Sequence, residues 1–399
     1  MKKINQCTLY LLLWCMYEMG SGVLFQGGGI LSQALMFVIV LLSFWNLFYA
    51  LLKYRLPVFL KAVIGLVFYF SIYGFIPIMK GETFLVGAID NYEVPSYNYL
   101  KLIYMSLLPI FPFYVYAKKR YLTEKVLSRW FYVFLIIVLI QYVRNIQTAM
   151  LVSGIDGGEF TNNISYSLLA LFPMMLFLRM GLIRKYLILG LLFLLILYGM
   201  KRGAIIIALI TLIWYIYRTF KTSSKKIRIK FVVIFCLFVA LISLFTVKLY
   251  HNSSYFQYRI EQTVDGDASG RDLILENLLN YFETETTSVQ KLLGLGANAT
   301  LKLGDNYAHN DWVEILINQG FLGVIIYLIY WIMLYYSWKS LDKNTVFYTI
   351  IGMVFLNIFL SSFFSMSYAS YSLYTAICIG YCFSINNRRS VHEKNLMYN

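Results

Sequence analysis

The sequence predicts an all-α polytopic membrane protein, and three observations carry that prediction. Of the 399 residues, 60% are hydrophobic and only 13% are charged, whereas a soluble domain is about half apolar and about a quarter charged. The apolar residues form runs of ~20, the length that crosses the hydrocarbon core of a bilayer. The basic residues cluster between those runs, as they do in cytoplasmic membrane loops. A cytosolic enzyme, a secreted disulfide scaffold and a disordered chain are therefore excluded.

Apolar windows of suitable length predict about twelve transmembrane helices. These windows lie at 8–25, 30–52, 62–79, 99–117, 130–148, 163–178, 186–200, 203–217, 231–250, 312–338, 345–365 and 368–385. The windows at 163–178, 186–200 and 203–217 are short. An even number of spans leaves both termini on one side, and we expect residues 1–399 to form a single membrane domain.

The distribution of charge predicts that both termini are cytoplasmic. With that orientation, most of the 34 Lys and Arg residues fall inside and most of the 19 Asp and Glu residues fall outside, as the positive-inside rule requires. The net charge of +15 thus reflects membrane topology, and no nucleic-acid partner is expected. Basic residues left outside gather between Lys201 and Lys291, around one large extracytoplasmic loop at 251–311. A loop of that length suggests a function.

The first candidate residue of this region is Arg202. It lies in Met200-Lys201-Arg202-Gly203, between two apolar windows with almost no loop. Both windows end at the predicted outer surface, and an arginine within a membrane costs ~2.5–3.5 kcal/mol on insertion scales, which makes it a functional-site candidate. The alternative is a side chain that snorkels from a helix end. Lys201 is a candidate for substrate binding beside it.

The second candidate is Arg271, in Ser269-Gly270-Arg271-Asp272. The next residues place Leu275, Leu278, Leu279 and Phe282 on one face at helical spacing, which predicts an amphipathic helix lying on the bilayer. Arg271 would stand at the N-terminus of that helix. The alternative is a solvated charge that pairs with Asp272 or Glu276. Arg259, earlier in the same loop, is a substrate-binding candidate.

The third candidate is His309, in Tyr307-Ala308-His309-Asn310-Asp311-Trp312. Asp311 and Glu314 have the spacing of a capping box, which predicts a helix start whose N–H groups and positive dipole face outward and attract anions. A neutral imidazole there can accept a proton from a hydroxyl. The alternative is an incidental loop histidine. Tyr307 and Asn310 are candidates for substrate binding.

Two arginines and a histidine at the outer surface predict a site for a lipid-linked diphosphate. Guanidinium groups bind phosphate oxygens with two parallel hydrogen bonds, and they would stabilise the charge that develops on a leaving diphosphate. His309 would deprotonate the incoming hydroxyl. The outer acidic residues form no recognisable ligand set, so we expect neither a metal nor a cofactor.

The order of these residues resembles that of the O-antigen ligase and polymerase superfamily. In that family an arginine stands before a small residue at a helix start, here Arg202-Gly203, and a Gly-Arg pair follows in the large loop, here Gly270-Arg271. A Gly-x-Gly turn comes next, here Gly294-Leu295-Gly296. His-Asn then leads into a helix that contains Gly-x-x-Gly, here His309-Asn310 and Gly320-Phe321-Leu322-Gly323. The resemblance covers 195–325. Met200-Lys201 departs from it, since a serine commonly precedes the arginine.

The resemblance implies a bacterial inner-membrane enzyme with a GT-C-like helical fold and an extracytoplasmic active site. Its catalytic residues would be Arg202, Arg271 and His309. It would transfer a glycan, with inversion and without a metal, from undecaprenyl diphosphate in the membrane lipid. Polymerisation of O-antigen or capsular repeat units is favoured, with transfer to lipid A–core as the ligase alternative and a polysaccharide chain-length regulator as an open further partner.

An alternative from another class is a flippase or other transporter of lipid-linked oligosaccharide. A transporter carries ionisable residues near mid-membrane and broken helices in paired halves. This sequence has Glu18 and little else at depth, and its polar residues gather on one face. The enzyme is therefore favoured.

Overall fold

The computed structural model describes residues 5–20, 29–86, 92–153, 161–252, 254–264, 271–304, 306–365 and 372–397. These described residues are mostly helical (82%). Its helices are α1 (Gln6–Met19), α2 (Ile30–Lys53), α3 (Val58–Lys80), α4 (Asn98–Leu107), α5 (Ile110–Lys118), α6 (Glu124–Ser153), α7 (Ser165–Met175), α8 (Leu182–Tyr198), α9 (Arg202–Thr222), α10 (Lys225–Asn252), α11 (Ser254–Val264), α12 (Arg271–Thr284), α13 (Ser288–Leu293), α14 (Ala299–Gly304), α15 (Asp311–Lys339), α16 (Val346–Phe364) and α17 (Leu373–Met397).

The helices are those of a polytopic membrane protein, as the sequence predicts. Over the described residues, seven helical segments are long and apolar enough to cross a membrane: Ile30–Lys53, Val58–Lys80, Asn98–Lys118, Glu124–Thr148, Arg202–Thr222, Asp311–Lys339 and Val346–Phe364. Each predicted window overlaps a helix or, at 99–117, the pair α4 and α5. The first window, 8–25, runs into residues outside the described ranges. Twelve spans, their orientation and the single membrane domain stay predictions.

The chain is not all-α, because a short antiparallel hairpin follows α3. Gly81 ends that helix with a left-handed φ of 64°, and the strands β1 (Thr83–Val86) and β2 (Tyr92–Pro95) pair with Phe84 opposite Val94. Both strands contain β-branched or aromatic residues, which favour extended backbone. Phe84 and Val94 are buried against Leu301 of α14. The hairpin thus packs on the segment predicted as the large loop.

The predicted loop at 251–311 is itself largely helical, since α11 to α14 lie within it. Its position outside the membrane stays a prediction. Contacts divide the chain into two compact units. The first holds the described residues within 1–36, 120–267 and 342–357, and the second holds those within 37–119, 268–341 and 358–399.

In the first unit, a buried asparagine connects three helices. Asn357 of α16 donates from Nδ2 to the carbonyl of Leu169 in α7 (3.2 Å) and accepts at Oδ1 from the hydroxyl of Thr211 in α9. Buried amides need such partners, since an unmade hydrogen bond costs free energy. Residues 168–175 of α7 are all buried, so this helix forms the core of the unit.

In the second unit, α5 and α17 pack against each other at unusually short range. Gly380 makes that contact possible, because a Cβ atom there would lie 2.6 Å from the carbonyl oxygen of Ile110 and 2.8 Å from the backbone nitrogen of Tyr114. Small residues allow such close approach between membrane helices. Residues 110–117 of α5 are all buried.

A break at Gly320 divides α15 into residues 311–319 and 321–339. Gly320 has φ 67° and ψ −167°, a conformation that is essentially restricted to glycine. The backbone around Gly294 (φ 80°) passes close to the backbone at Gly320. A Cβ atom on Gly320 would lie 2.5 Å from the backbone of Leu292. A Cβ atom on Gly294 would lie 2.4 Å from the carbonyl oxygen of Asn318. The two glycine motifs of the sequence are therefore two sides of one backbone crossing.

The same crossing supplies partners for carbonyl groups at the break. The N–H groups of Leu295 and Gly296 donate to the carbonyls of Ile317 and Asn318, each at 2.9 Å. In an unbroken helix these carbonyls would bond to residues four positions later. Buried carbonyls without a partner are costly, so the loop and the broken helix stabilise each other.

We predict that Gly320→Ala destabilises the protein by ~1–3 kcal/mol, the usual cost of such backbone strain, with a further cost from the clash. The measurement is the thermal unfolding midpoint of the purified protein in detergent. Gly65→Ala is the matched control, because Gly65 has open space around it and lies inside α3, where alanine is favoured over glycine. Equal midpoints for the two variants would contradict the close crossing.

Candidate functional site

Arg202 and Lys201 lie at the N-terminus of α9, in the first unit. Lys201 is the N-cap and Arg202 is the first helical residue, and both side chains are half-buried. The connection from α8 is a very short turn, as the sequence predicts, and it is held by a hydrogen bond from the Asn162 N–H to the Gly199 carbonyl (2.8 Å). Met200 within it has a left-handed φ of 50°.

Arg271 is the first described residue of α12, in the second unit. Its Nη1 donates to the carbonyl of Phe364 (3.0 Å), the last residue of α16. Among the described residues it forms no ion pair, so the alternative of pairing with Asp272 or Glu276 is not observed. Two of the apolar residues predicted to lie on the bilayer, Leu278 and Phe282, are instead buried in a protein cluster. Leu279 is 41% exposed.

His309 precedes α15 in a left-handed conformation (φ 52°) and is half-buried. The residue after it caps the helix: Asn310 Oδ1 accepts from the N–H groups of Trp312 (3.0 Å) and Val313 (3.3 Å). The predicted capping box is therefore wrong, because the cap lies one residue earlier and Asp311 is the first helical residue. The predicted helix start beside His309 is confirmed.

Glu314, assigned by the sequence to that capping box, has a different role. Its carboxylate is fully buried and accepts from the Thr300 hydroxyl (2.6 Å), the Ala308 N–H (2.8 Å) and Asn318 Nδ2 (2.9 Å). Three donors offset the cost of burying a carboxylate. Since Ala308 directly precedes His309, the carboxylate of Glu314 fixes the backbone that carries the histidine.

The structure brings Arg271 and the His309–Asn310 segment to one helix end. Asn310 Nδ2 donates to the carbonyl of Phe363 (3.4 Å), and Arg271 donates to the next carbonyl, that of Phe364. Carbonyls at a helix C-terminus have no intrahelical partners and carry partial negative charge. The end of α16 therefore holds both segments. Arg202 belongs to the other unit, and its meeting with them stays a prediction.

Tyr307 lies against the hairpin, packed on Phe84, Val94 and Leu301. Burial, together with the nearby carboxylate of Glu314, raises the pKa of Tyr307 to about 12, although a hydrogen bond with Asn98 opposes the shift. The phenol is thus protonated at physiological pH. It can donate a hydrogen bond to a substrate but cannot act as a base.

Arg259, another predicted substrate-binding residue, lies in α11. Its side chain is not among those that the structure describes. The expected absence of a metal and of a cofactor stays a prediction.

Sequence reasoning missed Glu314, Thr300 and Asn318 as a buried polar network. One signal was available, because Glu314 and Asn318 are four residues apart and thus share one face of an otherwise apolar helix. It also missed that Asp311 is fully buried and accepts a hydrogen bond from the Tyr327 hydroxyl (2.8 Å).

We predict that Glu314→Ala lowers the free energy of unfolding by ~2 kcal/mol or more, because three buried donors lose their acceptor and each unsatisfied group costs ~1–3 kcal/mol. Chemical denaturation in detergent measures this. Glu276→Gln, an exposed acid on α12, should change it by less than ~0.5 kcal/mol. Equal effects of the two substitutions would show that the buried network contributes nothing.

Comparison with known families finds a match. Residues 186–328 match the family model described as O-antigen ligase, about a third of the chain. No curated protein matches the chain. The matched segment contains Arg202, Arg271 and His309 and the crossing at Gly294 and Gly320. The match supports the resemblance to the O-antigen ligase and polymerase superfamily that was drawn from the sequence.

Proposed function

We propose that this protein transfers an oligosaccharide from undecaprenyl diphosphate to a sugar hydroxyl, at the extracytoplasmic face of the bacterial inner membrane. The observation that carries the proposal is the meeting of Arg271 and the His309–Asn310 segment at the end of α16, within the segment that matches the O-antigen ligase family. A phosphate-binding cation and a proton acceptor near one another are what such a transfer needs.

The placement of the two arginines supports a diphosphate ligand. Arg202 and Arg271 are each the first residue of a described helix, where the positive end of the helix dipole disfavours a cation by ~0.3–1 kcal/mol. An anion at such a terminus reverses that penalty, since backbone N–H groups and guanidinium then act together. The guanidinium has five donors, so the bond from Arg271 to Phe364 leaves others for phosphate oxygens.

The placement of His309 supports a role as the base. Its left-handed backbone is held on one side by Glu314, through Ala308, and on the other by the cap at Asn310. A base held in this way keeps its position through the reaction, which makes proton transfer efficient.

The proposed reaction is a single displacement. His309 takes the proton of the acceptor hydroxyl, and that oxygen forms a bond to the anomeric carbon of the donor sugar. The bond from that carbon to the diphosphate oxygen breaks, and its electron pair leaves with undecaprenyl diphosphate. Arg271 and Arg202 stabilise the negative charge on the leaving group. Attack from the face opposite the leaving group inverts the anomeric centre, and no metal takes part.

We propose a second repeat unit as the acceptor, so that the protein polymerises O-antigen or capsular polysaccharide. Polymerases are the more numerous and divergent branch of the superfamily. Transfer to lipid A–core, the ligase reaction, is the alternative that the family description favours. The termini would be cytoplasmic, and a chain-length regulator would act as a further partner.

We predict that His309→Asn abolishes long glycan when the variant complements a deletion strain. Asparagine tolerates a left-handed backbone, so this change removes the base while keeping the loop conformation. His251→Asn, at an exposed histidine of α10, is the matched control and should restore full glycan. A normal glycan ladder from inserted His309→Asn would remove His309 as the base.

Deletion of the gene should separate the two acceptors. A polymerase predicts that the strain carries a single repeat unit on lipid A–core, detected as one short band on a glycan gel. Polymer that accumulates on its lipid carrier would instead identify a ligase. An unchanged ladder would contradict both forms of the proposal.

A further inference from the structure

A polar cavity of about 320 Å³ lies in the first unit, between α8, α9 and the start of α16. Among its described lining residues two are basic, Lys185 and Arg218, and none is acidic. Asn344 and Thr349 add further hydrogen-bonding groups, and Leu176 and Met180 contribute an apolar wall.

Arg218 is a buried cation whose charge has no partner of opposite sign among the described residues. Only 6% of it is exposed. Its Nη2 donates to the carbonyl of Lys343, its guanidinium lies 4.7 Å from the ring centroid of Tyr348, and its buried Nε has no hydrogen-bond partner. A carbonyl and a ring are neutral, and burial of an unpaired charge is costly. The arginine thus carries a charge that an anion in the cavity would balance.

Lys185 adds a second cation to the same cavity. Its ammonium donates to the carbonyl of Leu176 (3.3 Å), and an ammonium has three donors. Two carboxylates lie near the cavity but do not line it: Glu124 pairs with Arg179 (3.5 Å) and also attracts the charge of Lys185, and Asp342 accepts from the N–H of Asn344 (2.9 Å). Two cations with amide and hydroxyl donors suit the several oxygens of a phosphate group.

The cavity is separate from Arg202, the residue of the proposed catalytic site that lies in the same unit. Arg218 follows Arg202 on α9 by sixteen positions, which places it about 24 Å further along the helix. The charge distribution predicts that this end of α9 is cytoplasmic. Anionic lipids of the cytoplasmic leaflet attract basic residues there, and basic pockets between helices on that side bind their headgroups.

We propose that this cavity binds the phosphate of an anionic phospholipid, with Arg218 and Lys185 as its ligands and with the acyl chains along the apolar wall. The net negative charge selects such a lipid over a zwitterionic one, whose ammonium would approach the two cations. Its function is to hold the ends of α8, α9 and α16 together at the membrane surface.

Native mass spectrometry of the full chain, released from detergent, tests the proposal. Phosphatidylglycerol, phosphatidylethanolamine and inorganic phosphate are added in separate titrations. We expect one phosphatidylglycerol to be retained at concentrations at which phosphatidylethanolamine is lost. Lys185→Gln should weaken its binding roughly fivefold, the usual effect of one basic residue at an anionic membrane surface. Arg184→Gln removes an equal charge from the exposed neighbouring residue on α8, outside the cavity lining, and should leave the binding unchanged.

Three outcomes would overturn the proposal. Equal loss of phosphatidylglycerol binding in Lys185→Gln and Arg184→Gln would indicate that basic residues at the protein surface attract the lipid in general. Equal binding of the two phospholipids would remove the selection for negative charge. Stabilisation of the chain by inorganic phosphate alone, lost in Lys185→Gln, would assign the cavity to a free anion. Arg218→Gln should abolish retention, and if it fails to fold, Lys185→Gln and Thr349→Val still provide the test, because each removes one group from the cavity.

Discussion

One buried carboxylate organises the region around the candidate site. Glu314 cannot be buried without donors, and its donors come from α14 through Thr300, from the histidine loop through Ala308 and from α15 through Asn318. Asn318 extends the network, because its carbonyl accepts from Gly296. Satisfying one charge thus fixes α14, the loop before α15 and the glycine crossing relative to one another.

This network would hold the proposed base in place where α15 begins. A loop histidine in a left-handed conformation would otherwise be a poorly placed base. Here it is held between Glu314 and the cap at Asn310, next to the carbonyl groups at the end of α16 that also hold Arg271. Arginines at helix starts are unfavourable without an anion. The substrate diphosphate would therefore complete the arrangement.

Much of the helical framework could be predicted from composition, because a membrane helix satisfies its own backbone and requires only apolar side chains. The helices α2 and α9 follow their predicted windows closely. The rest depends on contacts between distant segments. Phe84 forms a strand because it packs on Leu301, Glu314 is buried because Thr300 reaches it, and the cavity at Arg218 needs side chains from several helices. One sequence read alone gives no signal of such contacts between distant segments.

The most direct test of the central claim is a double-mutant cycle between Arg271 and His309. Transfer rates are measured for the purified chain, Arg271→Lys, His309→Asn and the double variant, with one lipid diphosphate donor at saturation. Groups that act in one transition state are strongly non-additive, so the double variant should lose little more than the more damaged single variant. Losses that multiply would mean that the two residues act independently, and the single site at the end of α16 would be contradicted.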